Sequence, residues 1–186
     1  TRISAMGYAI PGSVVAVGIL IPFAWLDNTI NTWLLSRGGE VIGLIFSGSA
    51  FILIYAYVVR FLAVSFNTVE ASLGKVTPSM DAASRTLGQT PAGTLKRVHT
   101  PIMRGSLFAA AILVFVDVMK ELPATIILRP FNFDTLAIRA HTLASDERLA
   151  EASTASLAIV LVGILPVILL SMAMRRSRPG SKAKEG

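Results

Sequence analysis

Cysteine is absent from this 186-residue chain, histidine occurs twice, and only 15% of the residues are charged. The first absence removes disulfide frameworks and cysteine-based metal sites, and it leaves the redox compartment unread. The two imidazoles, His99 and His141, are separated by a whole apolar run and are expected on opposite sides of a membrane, so they cannot share a metal ion. His99 then reads as a polar loop residue rather than a ligand. No Ser-His-Asp or zinc-ligand spacing emerges. There is also no glycine-rich loop ending in Lys-Ser or Lys-Thr, so the chain is expected neither to bind nor to hydrolyse ATP itself. No enzyme, cofactor or metal site is expected.

What the chain has instead is apolar length. Hydrophobic residues make up 53% of it and the mean hydropathy is +0.66, whereas an ordinary soluble domain carries roughly 25% charge. The net charge of +6 does not point to nucleic acid, because no aromatic residues are interleaved with the basic ones and the charges gather at the ends of apolar runs. Membrane topology accounts for them. The expected fold is all-α, a polytopic transmembrane helical bundle with about four spans.

Residues 8–26 carry no charge, and as a helix they reach about 28 Å, close to the ~30 Å hydrocarbon core of a bilayer. Further spans follow, so this run is not a cleaved signal peptide. Trp25 sits where an interfacial aromatic belongs. Residues 27–40 read as a short polar loop with room for a surface helix, and residues 41–63 as a second span ending around Arg60. Within it Gly43 and Ser47 form a small-xxx-small pair suited to close helix packing.

A third span starts near Pro101 or Gly105 and meets Asp117, Lys120 and Glu121. Apolar residues resume at Leu122–Leu128 behind Pro123. The three charged residues stand at i, i+3 and i+4, on one face of a helix, where opposite charges partly neutralise each other. Each would cost about 2.5–3.5 kcal/mol facing lipid at mid-span, so they should turn to water or to the protein interior. Two readings stand: a translocation path with Pro123 breaking the helix as a gate, or a structural ion pair at the outer interface. Residues 129–151 read as an outer loop with a short amphipathic helix around Thr135–Leu143. Its Arg139, His141, Asp146, Glu147 and Arg148 offer either contacts for a substrate-delivering protein or a solvated face. A fourth span covers 155–174, and the charged tail 175–186 is expected to be disordered.

The polar, basic segment Thr77–Arg104 interrupts this pattern. Three Thr-Pro pairs punctuate it, at Thr77-Pro78, Thr90-Pro91 and Thr100-Pro101. Each fits a helix start, with Thr capping free N–H groups and Pro at the first helical position. Gly88 suits a helix stop. The segment therefore predicts a helix over 78–87, a turn, a helix over 91–99, and a third helix beginning at Pro101. Met80, Ala83, Ser84 and Leu87 fall at i, i+3, i+4 and i+7, a narrow face of small and apolar groups that needs a partner.

These residues resemble the cytoplasmic coupling loop of permease subunits of binding-protein-dependent ABC importers, whose motif runs Glu-Ala-Ala, three residues, Gly, nine residues, Ile, one residue, Leu-Pro. Anchored on Gly88 and Pro101, the spacing fits without a gap through Ala82-Ala83-Ser84 and Val98. Ala82 stands where the family has Glu, Ser84 replaces Ala, and Val98 and Thr100 replace Ile and Leu. Phe115–Thr125, Leu128–Leu136 and Ala144–Ala152 are similar to the C-terminal half of ferric-iron importer permeases, so the resemblance covers nearly the whole chain.

The resemblance implies a type I importer permease fold over 1–174, with a coupling loop at about 77–104. Its ATPase contacts would involve Asp81, Ala82, Ala83, Ser84, Gly88, Val98 and Pro101, and a candidate path or gate would involve Asp117, Lys120, Glu121 and Pro123. Implied partners are cytoplasmic ABC ATPase subunits, a periplasmic or surface-bound binding protein, a second permease half and membrane lipid, with ferric iron as cargo. Polyamine, thiamine, phosphonate or sulfate permeases stay open as alternatives, as does a non-transporting membrane scaffold. The chain opens on Thr1, and four spans are few for such a permease, so it is expected to be the C-terminal part of a longer one. With Thr77–Arg104 placed inside, twelve basic residues lie inside and five outside. That puts both termini in the cytoplasm of a bacterial inner membrane.

Overall fold

The computed structural model describes residues 10–176, whose regular elements are helices joined by turns, with no strand among them. The start of the first expected span and residues 177–186 of the tail lie outside the described residues.

Helix α1, Gly12–Ser36, runs ten residues beyond the expected end of the first span. Residues 27–36, expected in the loop that follows the span, form the last turns of this helix. Thr29 and Thr32 return their hydroxyls to the carbonyls of Trp25 and Asn28, each at 2.8 Å. Asp27 and Asn31, four apart and hence on one face, reach back to the chain that follows. Asp27, wholly buried, accepts from Phe46 N at 3.0 Å, Ser47 N at 2.8 Å and the Ser47 hydroxyl at 2.6 Å. Asn31 Oδ1 accepts from Ile42 N at 3.0 Å and Gly43 N at 3.2 Å, and its amide donates to Gly43 O at 2.8 Å.

These bonds supply partners for the backbone of residues 37–49 outside any helix. The second span therefore does not begin at residue 41. Val41–Ser49 is a tethered corner, and Gly43 and Ser47 belong to it rather than to a helix-packing seam. Helix α2 is Ala50–Leu73, which places Arg60 inside the apolar helix instead of at its end.

The hairpin segment gives α3, Pro78–Thr86, and α4, Pro91–Thr94. A five-residue π-turn, Leu95–His99, leads without interruption into α5, Thr100–Met119. Helix α6, Pro123–Leu128, follows after a break, then α7, Leu136–Ser145, and α8, Leu149–Arg176. Among the described residues, four stretches are long and apolar enough to cross a membrane: Gly12–Ser36, Ala50–Leu73, Pro91–Met119 and Leu149–Leu169.

The chain divides into two compact units. One takes in the chain up to Ala63 together with Asp117–Leu161, and the other takes in Val64–Val116 with the chain from Val162 onward. In the first, α6 packs along α1. Ala16 and Ile19 of α1, Ile52, Leu53 and Ala56 of α2, and Ala124 and Leu128 of α6 close into one core. Phe23, Phe46, Phe51 and Tyr55 extend it, the Phe23 ring lying 5.4–5.9 Å from the other three. In the second unit Met103, Ala110 and Ile112 of α5 are buried, Val116 lies against Gly163, and Lys75 Nζ donates to Ser106 at 3.2 Å. Val160, Leu161, Leu165 and Leu169 of α8 stay uncovered, as a surface facing lipid or further protein requires.

Candidate functional site

The first candidate is the hairpin Thr77–Thr100. Of its three Thr-Pro pairs only Thr90-Pro91 caps a helix through its side chain, accepting from Gly93 N at 3.2 Å. Thr77 precedes Pro78 at the start of α3, but its hydroxyl pairs with Ser79 at 2.8 Å. Thr100-Pro101 opens α5 as expected, but not as a free, capped end, because the helix continues from the π-turn before it. Pro101 lacks the N–H an α-helix would use and its ring crowds the carbonyl four residues back. The π-turn absorbs both by widening the backbone just before it. The Thr100 hydroxyl donates to Leu95 O at 2.9 Å across that turn.

Helix α3 ends as expected at Gly88, whose φ is +75°. Gly88 N donates to Arg85 O at 2.9 Å and Gln89 N to Ser84 O at 3.1 Å, the two bonds of a Schellman stop that glycine permits without strain. Helix α3 is joined twice to the arm that follows it, once to α4 and once to the π-turn. The Ser84 and Thr94 hydroxyls meet at 2.7 Å out of solvent, and Asp81 Oδ1 lies 2.7 Å from His99 Nε2. A cavity of about 290 Å3 opens beside them, bounded by Asp81, Arg85, Pro91, Thr94 and His99.

The apolar face of α3 therefore splits. Ser84 turns inward to Thr94, while Met80, Ala83 and Leu87 stay exposed, Leu87 by 79%, with Leu95 at 56%. Ala82 and Pro101 are exposed as well, and Val98 is half-buried.

The second candidate is the break between α5 and α6. Helix α5 ends at Met119, so Glu121 does not share a helix face with Asp117 and Lys120. Lys120 Nζ pairs with Asp117 at 2.9 Å. Glu121, 7% exposed, turns instead to Arg60 of α2, whose Nε lies 3.2 Å from its Oε2. Glu121 Oε1 accepts from Ala124 N at 3.2 Å, serving as the cap that Leu122 cannot provide for α6. The guanidinium also donates from Nη1 to Ile10 O at 2.8 Å. Pro123 occupies the first position of α6, where its missing N–H costs nothing. The Thr125 hydroxyl donates to Glu121 O at 2.6 Å, which leaves Tyr57 OH as the donor in its 2.5 Å contact with Thr125.

Arg60, Tyr57 and Thr125 were not singled out in the sequence. A single Arg inside one apolar run and a Glu beside another were the available signal, since buried charges of opposite sign seek each other. Among the described residues, no group of three His, Asp or Glu side chains is placed to hold a metal ion. His141 is exposed on α7, and Arg129 pairs with Asp134 across the loop before that helix.

An all-α chain with four helices among its described residues long and apolar enough to cross a bilayer, and with the buried Glu121 paired to Arg60, is a polytopic membrane protein. No protein-family profile matches it. Over 91% of its length it is 27% identical to the Fe(3+)-transport system permease protein FbpB 2 of Haemophilus influenzae, and covers 30% of that protein. It is also 27% identical to the putative 2-aminoethylphosphonate transport system permease protein PhnV of Salmonella paratyphi A, over 94% of this chain and 59% of that one. The Salmonella choleraesuis counterpart is 29% identical over 90% of this chain and 56% of its own. The chain spans between about a third and three-fifths of the length of these relatives. It is homologous to permease proteins of transport systems, the class that its Thr77–Arg104 segment resembles.

Proposed function

We propose that the chain is part of the membrane-spanning region of a permease subunit in an ATP-driven ABC importer, and that Thr77–Thr100 is where a cytoplasmic ATPase docks. The observation that carries this is the hairpin: α3 is pinned to the arm that follows it by Ser84–Thr94 and Asp81–His99, with Met80, Leu87 and Leu95 left uncovered. A rigid element with an exposed apolar edge suits a partner that must move it as a lever, so that alternating access follows ATP-driven closure of two ATPase subunits. A second permease half and a secreted binding protein complete the assembly.

Orientation rests on the basic residues. Arg60 lies mid-helix and drops out of the inside count, leaving eleven of the twelve against five. The excess still favours an inner-membrane protein with the hairpin and both ends of this chain in the cytoplasm.

Ferric iron delivered by the binding protein is the first choice of cargo, on the resemblance of Phe115–Ala152 to iron permeases. The equal identity to a permease named for 2-aminoethylphosphonate makes that compound the second. The test is uptake of radiolabelled ferric iron and of labelled 2-aminoethylphosphonate into vesicles holding the full-length permease, its ATPase and its binding protein. ATP-dependent accumulation of iron supports the first reading and accumulation of the phosphonate the second. ATP hydrolysis unaffected by any binding protein, with neither compound taken up, would set the importer reading aside.

A further inference from the structure

The polar cluster around Glu121 ties three separate elements to one carboxylate. Oε1 caps the start of α6 through Ala124 N, and Oε2 faces Arg60 in the middle of α2. The carboxylate also lies on the first turn of α1: a Cβ built on Gly12 would sit 2.5 Å from Glu121 Oε1 and 3.2 Å from Arg60 Nη1. Nothing larger than glycine leaves both groups where they are. The amino-terminal end of α1 adds its positive dipole to the charge of Arg60, and the same guanidinium holds the Ile10 carbonyl just ahead of that helix.

This arrangement closes one surface. Ala124 and Leu128 of α6 are sealed against Ala16, Ile19, Leu53 and Ala56, and the only charged contact joining the sealed face to α2 is Arg60–Glu121 among the described residues. Buried though it is, Arg60 Nε lacks an aligned hydrogen bond, so the pair is held by charge at 3.2 Å rather than by a directed fork. Such a pair loses less on parting than a bidentate one. The surrounding bonds, Tyr57 to Thr125 and Thr125 to Glu121 O, fix where the backbone breaks without depending on that charge.

We infer that Arg60 and Glu121 form a releasable latch that holds the break between α5 and α6 shut against the start of α1, and that its release exposes the α6 face. Assigning that release to the transport cycle rests on the permease reading; the latch itself does not. Both residues act by positioning α6, not by touching cargo.

The chain contains no cysteine, so one can be placed on the sealed face. Ala124→Cys, in an otherwise cysteine-free full-length permease with its partners in membrane vesicles, is labelled with a membrane-impermeant thiol reagent, with and without ATP. Slow labelling is expected when the pair is intact. Arg60→Gln or Glu121→Gln should speed it by about tenfold, as when an open population rises from about a hundredth to about a tenth. The double variant Arg60→Met/Glu121→Met replaces the charges with an apolar contact of similar size, which buried sites tolerate. It should return labelling to the slow rate while abolishing uptake, because a latch that cannot part stays shut.

Unchanged labelling in the single variants at normal abundance overturns the latch, as does full uptake in the double variant. If the single variants fail to accumulate, the double variant decides by the same uptake measurement. Should the unaltered protein show no ATP-dependent uptake, the permease reading falls, and the labelling pattern still judges the latch.

Discussion

The hydroxyls of Ser84 and Thr94 meet at 2.7 Å in a place closed to solvent, and this contact joins the two short helices of the hairpin. Each hydroxyl has the other as its partner across the helix pair. Replacing Ser84 with Ala leaves the Thr94 hydroxyl buried beside a methyl group, at a cost of about 1–2 kcal/mol. The hairpin should then open more often. Trypsin cleavage at Arg85 and Arg97 in membrane vesicles is expected to accelerate roughly tenfold, and Ser84→Ala/Thr94→Val should cost less than the sum of the single changes. Additive effects would mean that the two hydroxyls do not act as a pair.

Gly88 stands at φ +75° between the helices. A β-branched side chain is strained there by about 1–3 kcal/mol, and the Schellman bonds from Gly88 N and Gln89 N would be given up to relieve it. Gly88→Val is therefore expected to separate ATP hydrolysis from uptake: hydrolysis by the partner subunits persists, and transport falls at least tenfold. Normal transport in this variant would count against docking at the hairpin.

The sequence made some of this legible and hid the rest for identifiable reasons. The helix-turn-helix of residues 78–99 followed from Thr-Pro pairs and Gly88, signals that act locally. The limits of α1 and α2 did not, because Asp27 and Asn31 look like loop residues until their partners at Ile42–Ser47 are known, and those bonds are non-local. The merging of α4 into α5 was hidden in the same way, since Thr100-Pro101 has the composition of a helix start but sits behind a π-turn. For Glu121, spacing suggested a companion on its own helix. The break at Met119 turned it toward Arg60, a choice set by packing that no periodicity encodes.

Asp27 is the fixed point of the corner between α1 and α2. Its carboxylate serves Phe46 N, Ser47 N and the Ser47 hydroxyl, and Asp27→Ala leaves all three without an acceptor. At about 1–3 kcal/mol for each buried group left unpaired, the variant should accumulate in the membrane several-fold less than the parent and melt earlier in detergent. Asn31→Ala is expected to be milder, because Asn31 is uncharged and only half-buried, and its bonds to Ile42 and Gly43 lie at the exposed or half-buried edge of the corner, whereas Asp27 is wholly buried. Equal losses from the two changes would show that burial does not set the cost.

The stop that ends α3 recurs at the end of α7 with a different residue in the strained position. There Glu147 has φ +61°; Glu147 N donates to Ala144 O at 3.2 Å and Arg148 N to Leu143 O at 2.9 Å, the same pair of bonds as at Gly88. A side chain in this left-handed position costs about 1 kcal/mol that glycine does not. The Glu147 side chain is exposed, while the ion pair of Arg148 with Glu151 lies just beyond it, so Glu147→Gly removes the strain without touching that pair. Amide exchange at Glu147 and Arg148 should slow by roughly fivefold to tenfold, the equivalent of about 1 kcal/mol. Faster exchange would mean that the glutamate side chain, and not the backbone geometry, secures the end of α7. The two positions form a matched test: adding a side chain at Gly88 and removing one at Glu147 should move the same motif in opposite directions.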